Sequence, residues 1–183
     1  LGPARWDLAN SSTFANETAD ETDGIAPRSM DECPVCKRVV EPMKSVAREF
    51  GDKVQVIFKQ NALDMHPNAF VAAAASMAAY KQGKFWQMHD KLFQNQRNLS
   101  EPDLLVYAEE LGLDMTKFKA DMNSPAIAAQ IEYERNLATA LEMRGTPGFF
   151  VNGTLDTSAE MPCIGTDGTD PTTREIDEKT QRS

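Results

Sequence analysis

Cys33-Pro34-Val35-Cys36-Lys37-Arg38 is the stretch on which the reading of this chain turns. Two cysteines separated by two residues can close a small disulfide and open it again. After Cys36, Val39, Val40, Met43, Val46, Ala47 and Phe50 recur at helical spacing and stop at Gly51, so the pair sits at the start of a helix. Pro42 falls inside that helix, where a kink is expected. The positive end of a helix stabilises a thiolate held there, and the thiolate is the attacking species in disulfide exchange. Zinc sites use the same cysteine spacing. What turns the reading toward redox chemistry is a second segment far downstream, Arg144-Gly145-Thr146-Pro147-Gly148-Phe149-Phe150-Val151-Asn152-Gly153.

Working outward from the cysteines, residues 54–58 (Val-Gln-Val-Ile-Phe) form a short β-branched strand. A long helical block follows. Its predicted helices span residues 66–80, 84–94, the stretch from Ser100 to Gly112, residues 114–122, and 124 to about 143. Ser100, Pro102 and Asp103 make a capping box with a first-turn proline. Residues 149–151 are a second strand, and Asn152-Gly153 is a hairpin turn, although the polar run after it is a poor partner strand. Residues 1–28 are polar and acidic and read as a tail or irregular segment. Residues 165–173 read as loop and 173–181 as a weak terminal helix.

Composition narrows the function. The 183 residues suffice for one domain with a sizeable insertion. A net charge of −9 argues against nucleic acid or an anionic membrane as main partner. No run approaches the roughly 18 apolar residues of a membrane span. Three cysteines are too few for a disulfide scaffold and suit a redox or metal protein. The chain opens Leu1-Gly2-Pro3 without an apolar leader, so a place outside the cytoplasm implies a leader removed or lying upstream.

The four segments Asp31 to Arg38, His66-Pro67-Asn68-Ala69, Gly83-Lys84-Phe85-Trp86-Gln87-Met88-His89-Asp90, and Arg144 to Gly153, in that order, resemble the DsbA-like thiol–disulfide oxidoreductases of the thioredoxin superfamily. The resemblance runs from residue 30 to residue 153. It implies an α/β thioredoxin-like fold, with residues 29–60 and 144–183 as core and 61–143 as an inserted α-helical domain. It also implies a cis Thr146–Pro147 peptide lying against the cysteines, and Thr146 touching the active sulfurs. The sequence departs from the family before the first cysteine. Gly24-Ile25-Ala26-Pro27-Arg28-Ser29-Met30 is a weak strand, and Asp31 stands where an aromatic is usual.

By this reading Cys33 is the nucleophile and the more exposed sulfur, and Cys36 resolves the mixed disulfide. Pro34, Val35, Thr146 and Pro147 are the active-site neighbours. The reaction needs no cofactor. Partners are protein thiols or disulfides and a redox-recycling protein, which can be membrane-bound; nucleic acid is not among them. The expected activity is disulfide donation outside the cytoplasm, in the periplasm or cell envelope. A reductase or isomerase using the same cysteines and a non-catalytic thioredoxin-fold binding module are the alternatives. A zinc site would need His66, His89, Cys163 or carboxylates beside the cysteines. Both histidines read instead as packing or capping residues, so no metal is assigned. Cys163 reads as an incidental thiol in a loop.

Overall fold

A computed structural model of the chain describes residues 23–29, 33–143, 145–152 and 154–156. Cys163 and the terminal helix expected at 173–181 lie outside them, as do Asp31 and Glu32. The described elements are β1 (Asp23–Ser29), α1 (Pro34–Phe50), β2 (Val54–Val56), β3 (Lys59–Gln60), α2 (Ala69–Tyr80), α3 (Phe85–Gln94), α4 (Glu101–Glu110), α5 (Met115–Met122), α6 (Pro125–Ala140), β4 (Gly148–Val151) and β5 (Thr154–Asp156). The sheet runs β2-β1-β4-β5, with β3 also pairing β1. β1 is parallel to β2 and β3 and antiparallel to β4, and β4 forms a hairpin with β5. The fold is thioredoxin-like, with the helices α2–α6 entering between β3 and β4.

Two expectations about strands are corrected. Residues 23–28, taken from sequence as part of a tail, belong to β1, an internal strand of the sheet. The strand expected at 54–58 stops at Val56 as β2, and pairing with β1 resumes only at Lys59 as β3. One cause accounts for both. Ile25 pairs with Val56, and Arg28 pairs with Lys59, so the register carried across the gap puts Pro27 beside Phe58. Pro27 has no N–H to give a ladder, and the ladder is interrupted there. A proline is thus accommodated inside the sheet, and the same proline hides β1 from a sequence reading. β5 is likewise a strand although its residues make a poor one. It is held by the two-residue turn, in which Asn152 takes φ +49°, the left-handed backbone such a hairpin demands.

Helix starts follow local chemistry. Pro34 opens α1 at its first position and Ser124 accepts from the Ala126 N–H at 3.2 Å ahead of Pro125. Asp114 accepts from Thr116 and Lys117 N–H at 3.0 and 3.1 Å to start α5. α2 begins at Ala69 rather than at His66, because Pro67 disfavours helical backbone at the residue before it. α1 runs as one helix through Pro42 and ends at Gly51, whose φ is +54°. α2 is the hub of the helical block and packs against α3, α4, α5 and α6. Its Ala72, Ala73, Ala75, Ala78 and Ala79 are buried, and the small side chains let the other helices approach closely.

Candidate active site

Cys33 is the N-cap of α1, with extended backbone (φ −81°, ψ 120°) and Pro34 next. Cys36 lies within the first turn. A thiolate at Cys33 therefore faces the positive end of α1, and the Lys37 and Arg38 side chains are exposed beside it. The fold brings the second sequence segment to the same place. The Cys33 sulfur lies 3.7 Å from the carbonyl oxygen of Thr146, 113 residues away. The Thr146–Pro147 peptide is cis, and Thr146 and Pro147 are both buried. Of the six residues singled out from sequence, Pro34 is exposed and Val35 half-buried, completing the turn between the sulfurs.

The exposure of Cys33 is a correction. Sequence reasoning made it the more accessible sulfur, but Cys33 and Cys36 are both 0% exposed. They belong to one buried cluster with Ala62, Ala69 and Ala72, against which Val35 packs. Thr146 lies across the sulfur of Cys33, and Gln96 reaches its backbone: the Gln96 Nε2 donates to the Cys33 carbonyl at 2.8 Å. Gln96 carries no signal in the sequence, being one polar residue in the turn Asn95-Gln96-Arg97.

Behind Cys36, α1, α3 and the β2 side of the sheet line an open pocket of about 460 Å³. Its walls include Cys36, Val40, Met43, Phe58, Trp86 and His89. Phe85 and Trp86 meet edge to face, and Phe58 from the sheet side joins them. His89 is packed as expected of an apolar-face histidine, with ring centroids of Phe58 and Phe93 at 5.2 and 4.7 Å. Burial pulls its pKa below the usual histidine value despite the neighbouring Asp90 carboxylate, which acts the other way. The His89–Asp90 contact at 3.3 Å is therefore a hydrogen bond donated by a neutral ring to the carboxylate at neutral pH rather than an ion pair. His66 sits in the loop before α2, and its Nε2 is buried without a hydrogen-bond partner among the described residues.

Residues 16–172 match the family model of the DSBA-like thioredoxin domain. Among solved structures, the fold is similar to a thioredoxin-like oxidoreductase from Silicibacter pomeroyi DSS-3, at 27% identity and a TM-score of 0.63 over 73% of this chain and 76% of that one. It is also similar to oxidised BdbD from Bacillus subtilis, at 21% identity and a TM-score of 0.67 over 78% and 82%. In sequence the chain is 38% identical over 122 residues to the Na(+)/H(+) antiporter NhaA of Herminiimonas arsenicoxydans. That match takes in 67% of this chain and 19% of the antiporter, so the chain spans about a fifth of the length of the curated relatives it matches. No helix of the described residues is long and apolar enough to cross a membrane.

Proposed function

We propose, for a chain that belongs to the DSBA-like thioredoxin domain family, thiol–disulfide exchange with protein substrates through Cys33 and Cys36, running in the direction of disulfide donation. The observation that carries this reading is the 3.7 Å approach of the Cys33 sulfur to the Thr146 carbonyl. It unites a CxxC at a helix start with a buried Thr-Pro turn, and neither segment would need the other in a purely structural pair.

In the exchange, a substrate thiolate attacks the Cys33 sulfur of a Cys33–Cys36 disulfide, a form that differs from the one in this structure, where Cys33 is disulfide-bonded and Cys36 carries a thiol. The bond between the two cysteines breaks and Cys36 leaves as thiolate. A second substrate thiolate then attacks the substrate sulfur of the mixed disulfide and expels Cys33 as thiolate. Two electrons pass from substrate to protein, and a recycling partner must remove them. A thiolate stabilised by α1 is a good leaving group, which favours the second step. Backbone beside Thr146 and Pro147 offers an extended substrate segment a short strand-like pairing. Since both sulfurs are buried, substrate must move the cover over Cys33 to reach it. Family likeness supports a site of action outside the cytoplasm.

The test is the reduction potential of the cysteine pair, by equilibration in glutathione buffers and mass analysis after alkylation. A value above about −180 mV supports disulfide donation, and one near −270 mV makes the protein a reductase. The complete burial of Cys33 favours one second reading, a non-catalytic binding module. It requires that Cys33→Ser leave partner binding intact and that the pair fail to exchange with glutathione.

A further inference from the structure

The Cys33 carbonyl has a helical bond from the Lys37 N–H at 3.4 Å and a side-chain bond from Gln96 Nε2 at 2.8 Å. The first is long for an N–H···O hydrogen bond and the second is near the optimum. The first carbonyl of α1, on the residue that carries the attacking sulfur, thus takes its better-formed bond from outside the helix.

Gln96 is aimed from a fixed turn. The Asn95 N–H donates to Leu92 and Lys91 carbonyls at the end of α3, and the Asn98 N–H donates to the Asn95 carbonyl at 2.8 Å. Asn95 Nδ2 adds a bond to the Lys91 carbonyl at 2.8 Å. Phe93 and Leu99, at 3% and 1% exposure, anchor the segment on either side. The amide is therefore presented to Cys33 by a part of the helical block with little freedom to withdraw it.

We propose that Gln96 is a positioning residue that sets the acidity of Cys33, and through it the redox poise of the pair. This inference rests on the thiol–disulfide reading above. Two physical effects act together. The bond holds Cys33 at the head of α1, where the helix dipole acts on its sulfur. Donation to the carbonyl also offsets the negative end of that dipole, which lies within the same residue as the developing thiolate. Both effects stabilise the thiolate, hence the reduced form, and make the disulfide more oxidising.

The experiment compares the full chain with Gln96→Ala and with Gln96→Glu, which keeps the shape and replaces the donor by an acceptor. Two quantities are read: the pH midpoint of Cys33 alkylation in the reduced protein, and the equilibrium constant for reduced protein plus oxidised glutathione giving oxidised protein plus two reduced glutathiones. Loss of one ordinary hydrogen bond should move that constant toward oxidised protein by about three- to tenfold for Gln96→Ala. The alkylation midpoint should rise with it, and Gln96→Glu should act in the same direction and further. If both variants keep the wild-type midpoint and constant while only thermal stability falls, Gln96 is a structural brace and the proposal is overturned. If the wild type itself does not exchange with glutathione, the thiol–disulfide reading fails. The alkylation midpoints still decide the role of Gln96 in that case.

Discussion

Lys59 Nζ lies 3.4 Å from Glu134 Oε1, with the two side chains only 2% and 5% exposed. The pair joins the sheet at β3 to the last helix of the helical block. Glu134 also accepts from the Gln60 backbone N–H at 2.6 Å and from Gln130 Nε2 at 2.8 Å. Gln60 Nε2 in turn donates to Ser76 Oγ of α2 at 2.8 Å. One carboxylate therefore gathers a backbone donor, an amide and an ammonium in the interior. Removing it takes the carboxylate from a buried ammonium and orphans the Gln60 N–H. Glu134→Ala should cost about 3–5 kcal/mol, as breaking a buried pair does, read as a lowered urea midpoint. Replacing both charges, as in Lys59→Met with Glu134→Leu, should recover part of that loss. It should not recover all, because the Gln60 N–H still lacks its acceptor. Full recovery would mean that the backbone bond to Glu134 adds nothing.

His89 makes stability depend on pH in a defined direction. Burial holds its folded pKa below the reference value of 6.5, with Asp90 opposing and Lys44 assisting. The unfolded chain therefore binds a proton that the folded chain refuses as pH drops below about 6.5. This contribution is fully present above that pH and is lost as pH falls from there toward the folded pKa. The slope from one such group is at most about 1.4 kcal/mol per pH unit. Asp90 acts lower on the scale. Burial pushes its carboxyl up, but hydrogen bonds from His89 and Lys44 outweigh it and leave the pKa below 3.8, so its contribution fades only in stronger acid. Thermal melts of wild type and His89→Phe from pH 7.5 to 5 check this. The wild type should lose stability across that range and the variant should lose less, and parallel curves would remove His89 from the account.

What could be read before the structure was local chemistry. The CxxC at the head of α1, the capping box of α4 and the Thr146-Pro147 turn before β4 are all set by neighbours in the chain. β1 escaped notice because strand patterning rewards alternation without proline, whereas Pro27 is tolerated only through the break at Phe58 on the neighbouring strand. That break is a property of two segments together. The burial of Cys33 and the bond from Gln96 are likewise tertiary, since Gln96 is 63 residues from Cys33. The pocket behind Cys36 needs both α1 and α3 to exist.

The alanines of α2 set the spacing of the helical block. Ala75 and Ala78 are 0% exposed on a helix that faces four others. Packing in such a core leaves no room for added methylenes. Ala75→Leu should therefore destabilise by about 1–3 kcal/mol through overpacking, although leucine is also a good helix former. The exposed position Phe70 on the same helix supplies a control, and Phe70→Leu should stay within about 0.5 kcal/mol of wild type. Equal effects at the two positions would show that α2 is not tightly enclosed.

The two cysteines should divide their labour in a way that trapping reveals. If Cys33 attacks and Cys36 resolves, Cys36→Ser leaves a nucleophile that forms a mixed disulfide it cannot release. Incubation with oxidised glutathione or with a cysteine peptide activated as a mixed disulfide should then give one stable adduct on Cys33, seen by mass. Cys33→Ser should give little adduct at neutral pH, because Cys36 lacks the position at the helix head. Cys163→Ser tests whether the third cysteine takes part, since Cys33 is disulfide-bonded in this structure while Cys36 carries a thiol. Stable adducts on Cys36 in the Cys33→Ser protein would reverse the assignment. A collapse of exchange in the Cys163→Ser protein would instead make the third cysteine part of the redox cycle.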